Sequence, residues 1–237
     1  ISRIVRLCML QGAIQRFLKK CQPGEFYYYP IEYPFGRMLS WATATASPAT
    51  TRIGFQMSIV SCRRLEQFMA PEEASTRAPF IRHAPIPDKI LAEDAEAASV
   101  YQKAGYQGIA LMDKAYRYEY LDHMVPRCQK GMHLIAPGLH DGAVMLEQLS
   151  AQIRRSSGAT WLIKPHPRAD NQYLQSWANI GNVRVSTQSI KELLSEVSEV
   201  FVTYSSVGLE ARKLGLKVTV ISIPGRINPS PLLDAVG

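Results

Sequence analysis

The chain has 237 residues and is 46% hydrophobic, and its 27 Lys and Arg outnumber its 20 Asp and Glu to give a formal net charge of +7. This length and apolar content allow one large domain or two small ones with a real core. The basic balance suits an anionic partner, such as a nucleotide, an acidic sugar or an anionic membrane. No basic block, zinc-finger or RNA-binding signature points to nucleic acid, and no apolar run approaches the roughly 20 residues that cross a bilayer.

Four scattered cysteines, none of them in a CxxC pair, predict reduced thiols in a cytosolic protein rather than a disulfide frame or a metal site. The histidines show no metal-ligand spacing, so we expect no metal and no cofactor. The first residue is Ile1 rather than Met, which predicts that the sequence is a fragment of a longer protein.

The first half of the chain predicts a mixture of helices and strands. Its start reads as an amphipathic helix, not as a signal peptide, with one apolar face made by Ile4, Leu7, Leu10, Ile14 and Phe17. Further along, the pattern predicts strands at 26–29 and 50–60, helices at 37–46 and 92–104, and an irregular proline-rich stretch at 70–90.

From about residue 130, predicted strands and helices alternate with short loops. The strands are 132–138, 160–165, 183–187, 200–204 and 217–223; the helices are 143–158, 169–178, 189–197 (with Ser189 as N-cap) and 206–215. Such alternation predicts a doubly wound parallel sheet, which binds ligands at the carboxyl ends of its strands. Three loops should therefore share one edge of the sheet: 137–142, 164–168 and 204–206.

The second of these loops carries a histidine between two prolines, in the stretch Lys164-Pro165-His166-Pro167. Proline restricts its own backbone and that of the residue before it, so the position of His166 is costly to change. An imidazole donates to a phosphate oxygen, and as imidazolium it also offsets charge. The alternative is that the prolines merely end a strand and that the histidine and Lys164 are ordinary surface residues.

The third loop passes from a buried strand into a helix through Ser205 and Ser206. The N-terminus of a helix suits an anion because its first N–H groups are unpaired; the alternative is that one serine is only an N-cap, worth about 1 kcal/mol. Glu210 fits a solvated helix residue better than a carboxylate that accepts ribose hydroxyls. Asp141, in the first loop, is predicted mainly as a turn residue and helix N-cap.

Together the second and third loops resemble a known family. "LIKPHPRAD" (162–170) and "VFVTYSSVGLEARKLGLKVTVIS" (200–222) look like the C-terminal, nucleotide-binding half of GT-B glycosyltransferases. They resemble most the CMP-sugar-using sialyl-, polysialyl- and Kdo transferases of surface-carbohydrate synthesis, which carry an HP and an SS motif. The resemblance implies that the HP histidine and the SS serines contact the nucleotide phosphate. The nucleotide site is accordingly predicted from Lys164, His166, Ser205, Ser206 and Glu210.

The implied activity is transfer of an acidic sugar, of the Kdo or sialic acid type, from a CMP-sugar to a growing surface polysaccharide or glycolipid. His166 would also protonate the leaving phosphate, and Glu32 or Asp141 would be the base or nucleophile. Residues 1–125 would be a partial N-terminal, acceptor-side α/β domain with a linker, and 126–237 the C-terminal Rossmann-like domain. The implied location is the cytoplasm, with peripheral association at the inner face of the cytoplasmic membrane.

Other functions share this pattern. CDP-glycerol glycerophosphotransferases carry a similar HP plus YSS arrangement, and a UDP-sugar epimerase would use the same scaffold. A non-catalytic module of a polysaccharide assembly complex is the third reading. Related sequences often have a second acid and a histidine where this chain has Arg37 and Met57, which leaves Glu32 as the only acid of that pattern and favours the non-catalytic module somewhat.

Overall fold

The computed structural model describes residues 2–29, 34–68, 70 and 86–234. The chain divides into two compact units, Ile1–Ala115 and Tyr116–Gly237, and each contains its own parallel sheet. These ranges are close to the predicted domains, 1–125 and 126–237, without coinciding with them. The predicted acid Glu32 lies outside the described residues.

The first unit is built on a four-stranded parallel sheet in the order β1-β2-β3-β4. Its core lies between this sheet and its helices. Ala42 and Ile90 are fully buried there, and Tyr101 is almost fully buried. The elements are α1 (Arg3–Cys21), β1 (Glu25–Tyr28), α2 (Pro34–Ala46), β2 (Thr51–Phe55), β3 (Lys89–Ala92), α3 (Ala95–Lys103) and β4 (Ile109–Leu111), with a short 3-10 helix at Leu65–Gln67.

Helix α1 buries only part of the predicted apolar face. Leu18 is fully buried, and Leu7 and Ile14 pack against the core. The predicted face is therefore correct for Leu7 and Ile14 and wrong for the other three residues, since Ile4 is 73%, Leu10 43% and Phe17 57% exposed. The contact with α2 determines which side of α1 is covered, and that contact was not readable from the periodicity of α1 alone.

The second unit is a five-stranded parallel sheet in the order β7-β6-β5-β8-β9. The chain starts in the middle at β5, moves outward to one edge, and then crosses back to build the other half. Its elements are β5 (Gln129–Ala136), α4 (Gly142–Arg155), β6 (Thr160–Ile163), β7 (Val183–Val185), α5 (Ile190–Glu196), β8 (Val197–Val202), α6 (Val207–Lys213) and β9 (Lys217–Val220).

Two separate apolar clusters cover the two faces of this sheet. Alternate residues of each strand point to opposite faces, so Ile135 of β5 joins Trp161 and Phe201 in one cluster, whereas Leu134 joins Val200 in the other. This is the doubly wound α/β arrangement expected from the alternation of elements, and the predicted fold class is confirmed.

Two local predictions in this unit have different outcomes. Ser189 caps α5 as predicted: its hydroxyl accepts from the N–H of Glu192, whose carboxylate accepts from the N–H of Ser189 in return, a reciprocal capping box. The helix predicted at 169–178 is wrong, because that stretch forms only a short 3-10 helix, Gln172–Ser176.

Candidate functional site

The three predicted loops do leave the same edge of the second sheet. Strand β5 lies between β6 and β8, and all three run parallel. Neighbouring strands lie about 4.8 Å apart, so the loops after β6 and β8 are separated by roughly 10 Å across the end of β5. The loop after β6 carries His166, and the loop after β8 carries the serine pair. These residues thus lie on either side of the space beyond the carboxyl end of β5.

Side chains just after β8 contact the loop after β5. The N–H of Gly138 donates to Thr203 Oγ1 at 3.0 Å, and the backbone of Leu139 and His140 lies near the hydroxyl of Tyr204. A Cβ atom on Gly138 would lie only 2.5 Å from Cζ of Tyr204. Sequence reasoning gave Gly138 and Tyr204 no role; the available signal was the glycine at the end of the predicted strand 132–138.

The local bonding of His166 indicates which of its nitrogens carries a proton. The N–H of Arg168 donates to Nδ1 at 3.2 Å, so in the neutral ring the hydrogen is on Nε2. Burial lowers the pKa of His166, and the nearby charges of Arg168 and His140 lower it further. The neutral imidazole is therefore favoured at pH 7, and Nε2–H is its hydrogen-bond donor.

Lys164 continues the strand but directs its ammonium group elsewhere. Its backbone N–H donates to the carbonyl of Ile135 at 2.9 Å, and its Nζ donates to the carbonyl of Thr187 at 3.2 Å. The ammonium group thus lies toward the loop after β7. A contact between Lys164 and a nucleotide stays a prediction.

The first N–H groups of α6 were expected to be unpaired, but they have hydrogen-bond partners within the chain. The N–H of Val207 lies 3.4 Å from Ser205 Oγ, and the next three N–H groups bond to the backbone carbonyls of Ser205 and Ser206. Ser206 occupies the N-cap position without making a side-chain cap. A ligand would therefore find hydroxyl groups here rather than unpaired N–H groups.

Glu210 is buried, with only 8% of its surface exposed. Tyr120 donates a hydrogen bond to Oε2, and Ser206 donates to Oε1 at 3.3 Å. The interpretation of Glu210 as a solvated helix residue is therefore wrong. Tyr120 is 90 positions away in the sequence, and no local pattern indicated this contact.

Asp141 stands at the N-cap position of α4, but its side chain makes no capping bond. It is 3% exposed, and Nη1 of Arg226 donates to its Oδ1 at 3.0 Å. The prediction that its side chain caps the helix is wrong. The ion pair lies beside a small pocket of about 30 Å³, which is also lined by Thr203, Tyr204, Ile223, Ile227 and Asn228.

The edge of the sheet offers two kinds of hydrogen-bonding group. His166 Nε2–H and the Ser205 hydroxyl, whose oxygen already accepts from Val207, are donors suited to an anion. Ser206 and Glu210 present acceptor oxygens. Within the part of the chain that the structure describes, no three His, Cys, Asp or Glu side chains are grouped so as to hold a metal ion.

Comparison with known proteins gives matches among solved structures. No family model matches the chain, and neither does a curated protein. A UDP-N-acetylglucosamine 2-epimerase from Rickettsia bellii has a TM-score of 0.52 and 13% identity, over 97% of this chain and 68% of that one. The UDP-GlcNAc 2-epimerase from Neisseria meningitidis, bound to UDP-GlcNAc, has a TM-score of 0.56 and 10% identity, over 93% and 64%.

A glycosyltransferase from Rickettsia africae matches with a TM-score of 0.55 and 11% identity, over 95% of this chain and 64% of that one. This chain thus spans about two thirds of the length of the three proteins. Similarity at this level of identity is similarity of fold. The chain has a Rossmann-like α/β fold of the GT-B type, the fold that these epimerases and this glycosyltransferase share.

Proposed function

We propose that this chain binds the nucleotide of a CMP-activated sugar and forms part of a glycosyltransferase that moves an acidic sugar, of the Kdo or sialic acid type, to a surface polysaccharide or glycolipid. The observation that carries this proposal is the placement of His166 and Ser205 on either side of the end of β5. Both present donors at the edge where doubly wound sheets bind ligands. The HP and SS stretches add the resemblance to CMP-sugar enzymes.

The chemistry follows from where charge develops. When the glycosidic bond breaks, the phosphate of CMP gains negative charge, and fixed donors stabilise that charge better than water does. The neutral His166 donates a hydrogen bond from Nε2 at no cost in charge burial. An arriving phosphate would raise the pKa of His166 again, because an opposite charge favours the imidazolium, and this supports proton donation to the leaving group.

The carboxylate on the opposite side of the sugar is the less defined part of the mechanism. Asp141 is buried and bound to Arg226, so a role as base or nucleophile would require the guanidinium group to move away. Glu32, the other candidate, lies outside the described residues. The carboxylate role therefore stays a proposal for either residue.

Calorimetric titration with CMP, CDP and UDP tests the proposed donor. We expect CMP to bind best, and His166→Ala and Ser205→Ala each to weaken it about tenfold, as for a hydrogen bond to a charged group. Ser206→Ala should weaken it less, because the Ser206 proton is directed to Glu210. His123→Ala and Ser157→Ala, both at exposed positions in the same unit, are matched controls.

The preferred nucleotide separates the competing functions. Stronger binding of UDP would favour a UDP-sugar enzyme, the candidate supported by the fold match to two UDP-GlcNAc 2-epimerases. Stronger binding of CDP would favour glycerophosphotransfer. A folded chain that binds none of the three would overturn the proposal and leave the non-catalytic module as the leading function.

Peripheral association with an anionic membrane is the second part of the proposal. Helix α1 contains five Lys or Arg and no Asp or Glu, and Met9 and Phe17 are 65% and 57% exposed. A basic and apolar surface of this kind binds anionic lipid. Within the described residues, no helix is both long and apolar enough to span a bilayer.

We expect the chain to float with anionic vesicles and not with neutral ones. The double variant Met9→Asp/Phe17→Asp should lower the bound fraction about tenfold, since each apolar side chain contributes on the order of 1 kcal/mol or more when buried in lipid. Both side chains are mostly exposed, so the fold should tolerate the change. A chain that stays unbound at low salt would contradict this prediction.

A further inference from the structure

The buried carboxylate of Glu210 is held from two sides. Tyr120 donates to Oε2 and Ser206 donates to Oε1. Tyr120 belongs to a short 3-10 helix, Tyr116–Leu121, at the start of the second unit. A second contact joins this short helix to α6, because Nζ of Lys213 lies 4.9 Å from the centre of the Tyr118 ring. The 3-10 helix is thus fixed against the helix that carries Glu210.

The direction of these hydrogen bonds makes the two adjacent serines unequal. Ser206 gives its proton to Glu210, so its oxygen is left to accept from a ligand. Ser205 accepts from the N–H of Val207, so its proton is available to a ligand. An anion therefore meets a donor at Ser205, whereas Ser206 and Glu210 together suit a neutral group that donates, such as a sugar hydroxyl.

Tyr120 keeps this acceptor pair oriented. Burial raises the pKa of Tyr120, and the hydrogen bond to Glu210 raises it further, so the phenol keeps its proton throughout the neutral range. By occupying Oε2, the phenol fixes the carboxylate rotamer and turns Oε1 toward Ser206. Without Tyr120, the carboxylate would be free to rotate, and Oε2 would lose its partner in a buried setting.

We propose that Tyr120 is a positioning residue for recognition of the nucleotide ribose: it holds Glu210 so that Oε1 and Ser206 Oγ accept hydrogen bonds from the ribose hydroxyls. This inference rests on the nucleotide binding proposed above and names a residue beyond the HP and SS stretches. It assigns phosphate to Ser205 and ribose to Ser206 and Glu210, a division of roles that the adjacent serines do not reveal in sequence.

Titration with CMP and 2′-deoxy-CMP tests the inference on the wild-type chain and on Tyr120→Phe and Glu210→Gln. The wild type should bind CMP about tenfold better than 2′-deoxy-CMP, as expected for a hydroxyl bound to a charged acceptor. Tyr120→Phe should weaken CMP about fivefold and 2′-deoxy-CMP, which keeps its 3′-hydroxyl, clearly less, so the ratio between the two affinities falls. Tyr116→Phe, on the same 3-10 helix but 71% exposed, should keep the wild-type ratio.

The outcomes separate this inference from the one on which it depends. If Tyr120→Phe weakened both ligands equally, its role would be structural and the inference would be overturned, with nucleotide binding intact. Equal wild-type affinity for the two ligands would also overturn it. A wild-type chain that bound neither ligand would overturn the proposed function itself. Glu210→Gln should likewise lower the ratio of CMP affinity to 2′-deoxy-CMP affinity. Together with an unchanged melting temperature, this result would support positioning through the carboxylate.

Discussion

Trp161→Ala is expected to lower the free energy of unfolding of the second unit by about 3–5 kcal/mol, the usual cost of removing a large buried aromatic side chain. Trp161 is fully buried, and its ring centre lies 4.6 Å from that of His133 and 5.1 Å from that of Phe201. The residue comes from β6, next to the central strand, so the cavity would open in the middle of one face of the sheet.

Trp161→Phe should cost much less than the alanine variant. The indole N–H of Trp161 is buried without a hydrogen-bond partner among the described residues, and a buried unpaired donor is itself destabilising by about 1–3 kcal/mol. Phenylalanine removes that donor and keeps most of the volume. Trp41→Ala, at a position that is 41% exposed, is the control.

Urea unfolding followed by circular dichroism, with amide exchange of β5 and β6 to identify the second unit, would measure these changes. We expect the order of stability to be wild type, then Trp161→Phe, then Trp161→Ala, with Trp41→Ala close to wild type. An alanine variant with nearly wild-type exchange rates in β5 and β6 would show that the ring does not support this face of the sheet.

Gly138→Ala is expected to damage both the stability of the second unit and its nucleotide affinity. The added methyl group would lie within 2.9 Å of three atoms of Tyr204, so either this ring or the loop after β5 would have to move. Overpacking of this kind costs about 1–3 kcal/mol, and we expect the upper end. Displacement of Tyr204 would also shift the adjacent Ser205.

The control is Gly158→Ala, since a Cβ atom there would meet no neighbour within 4 Å. A double-mutant cycle with Tyr204→Ala isolates the clash: the alanine at 138 should cost far less when the ring is absent. Chemical unfolding and CMP titration would be measured on all four proteins of the cycle. Additive effects of the two substitutions would rule out the proposed overlap.

The fold of the second unit was largely predictable because parallel strands buried on both faces appear as short apolar runs between helical patterns. The stretch 132–138, for example, predicted β5 to within a few residues of its ends. The stretch 169–178 was mispredicted, since helical propensity there gives way to local turns, in which Asp170 accepts from the N–H of Gln172.

The candidate site was only partly predictable, for a different reason. The ends of β6 and β8 could be assigned to one edge because every parallel strand of a sheet has its carboxyl end there. The partners of the side chains at that edge could not be assigned. Tyr120 reaches Glu210 across 90 positions and Arg226 reaches Asp141 across 85, and contacts at such distances depend on tertiary packing that leaves no local pattern.

The hydrogen bonds around the edge of the sheet have a consequence for the entropy of ligand binding. Thr203 ties the loop after β5 to the end of β8, whereas the described hydrogen bonds of His166 stay within its own loop. The residues around His166 would lose conformational freedom on meeting a ligand, and Pro165 and Pro167 limit that loss in advance by restricting the backbone of the free chain. The two prolines thus stiffen, by covalent structure, the residues around His166, whose described hydrogen bonds do not reach a neighbouring strand or loop.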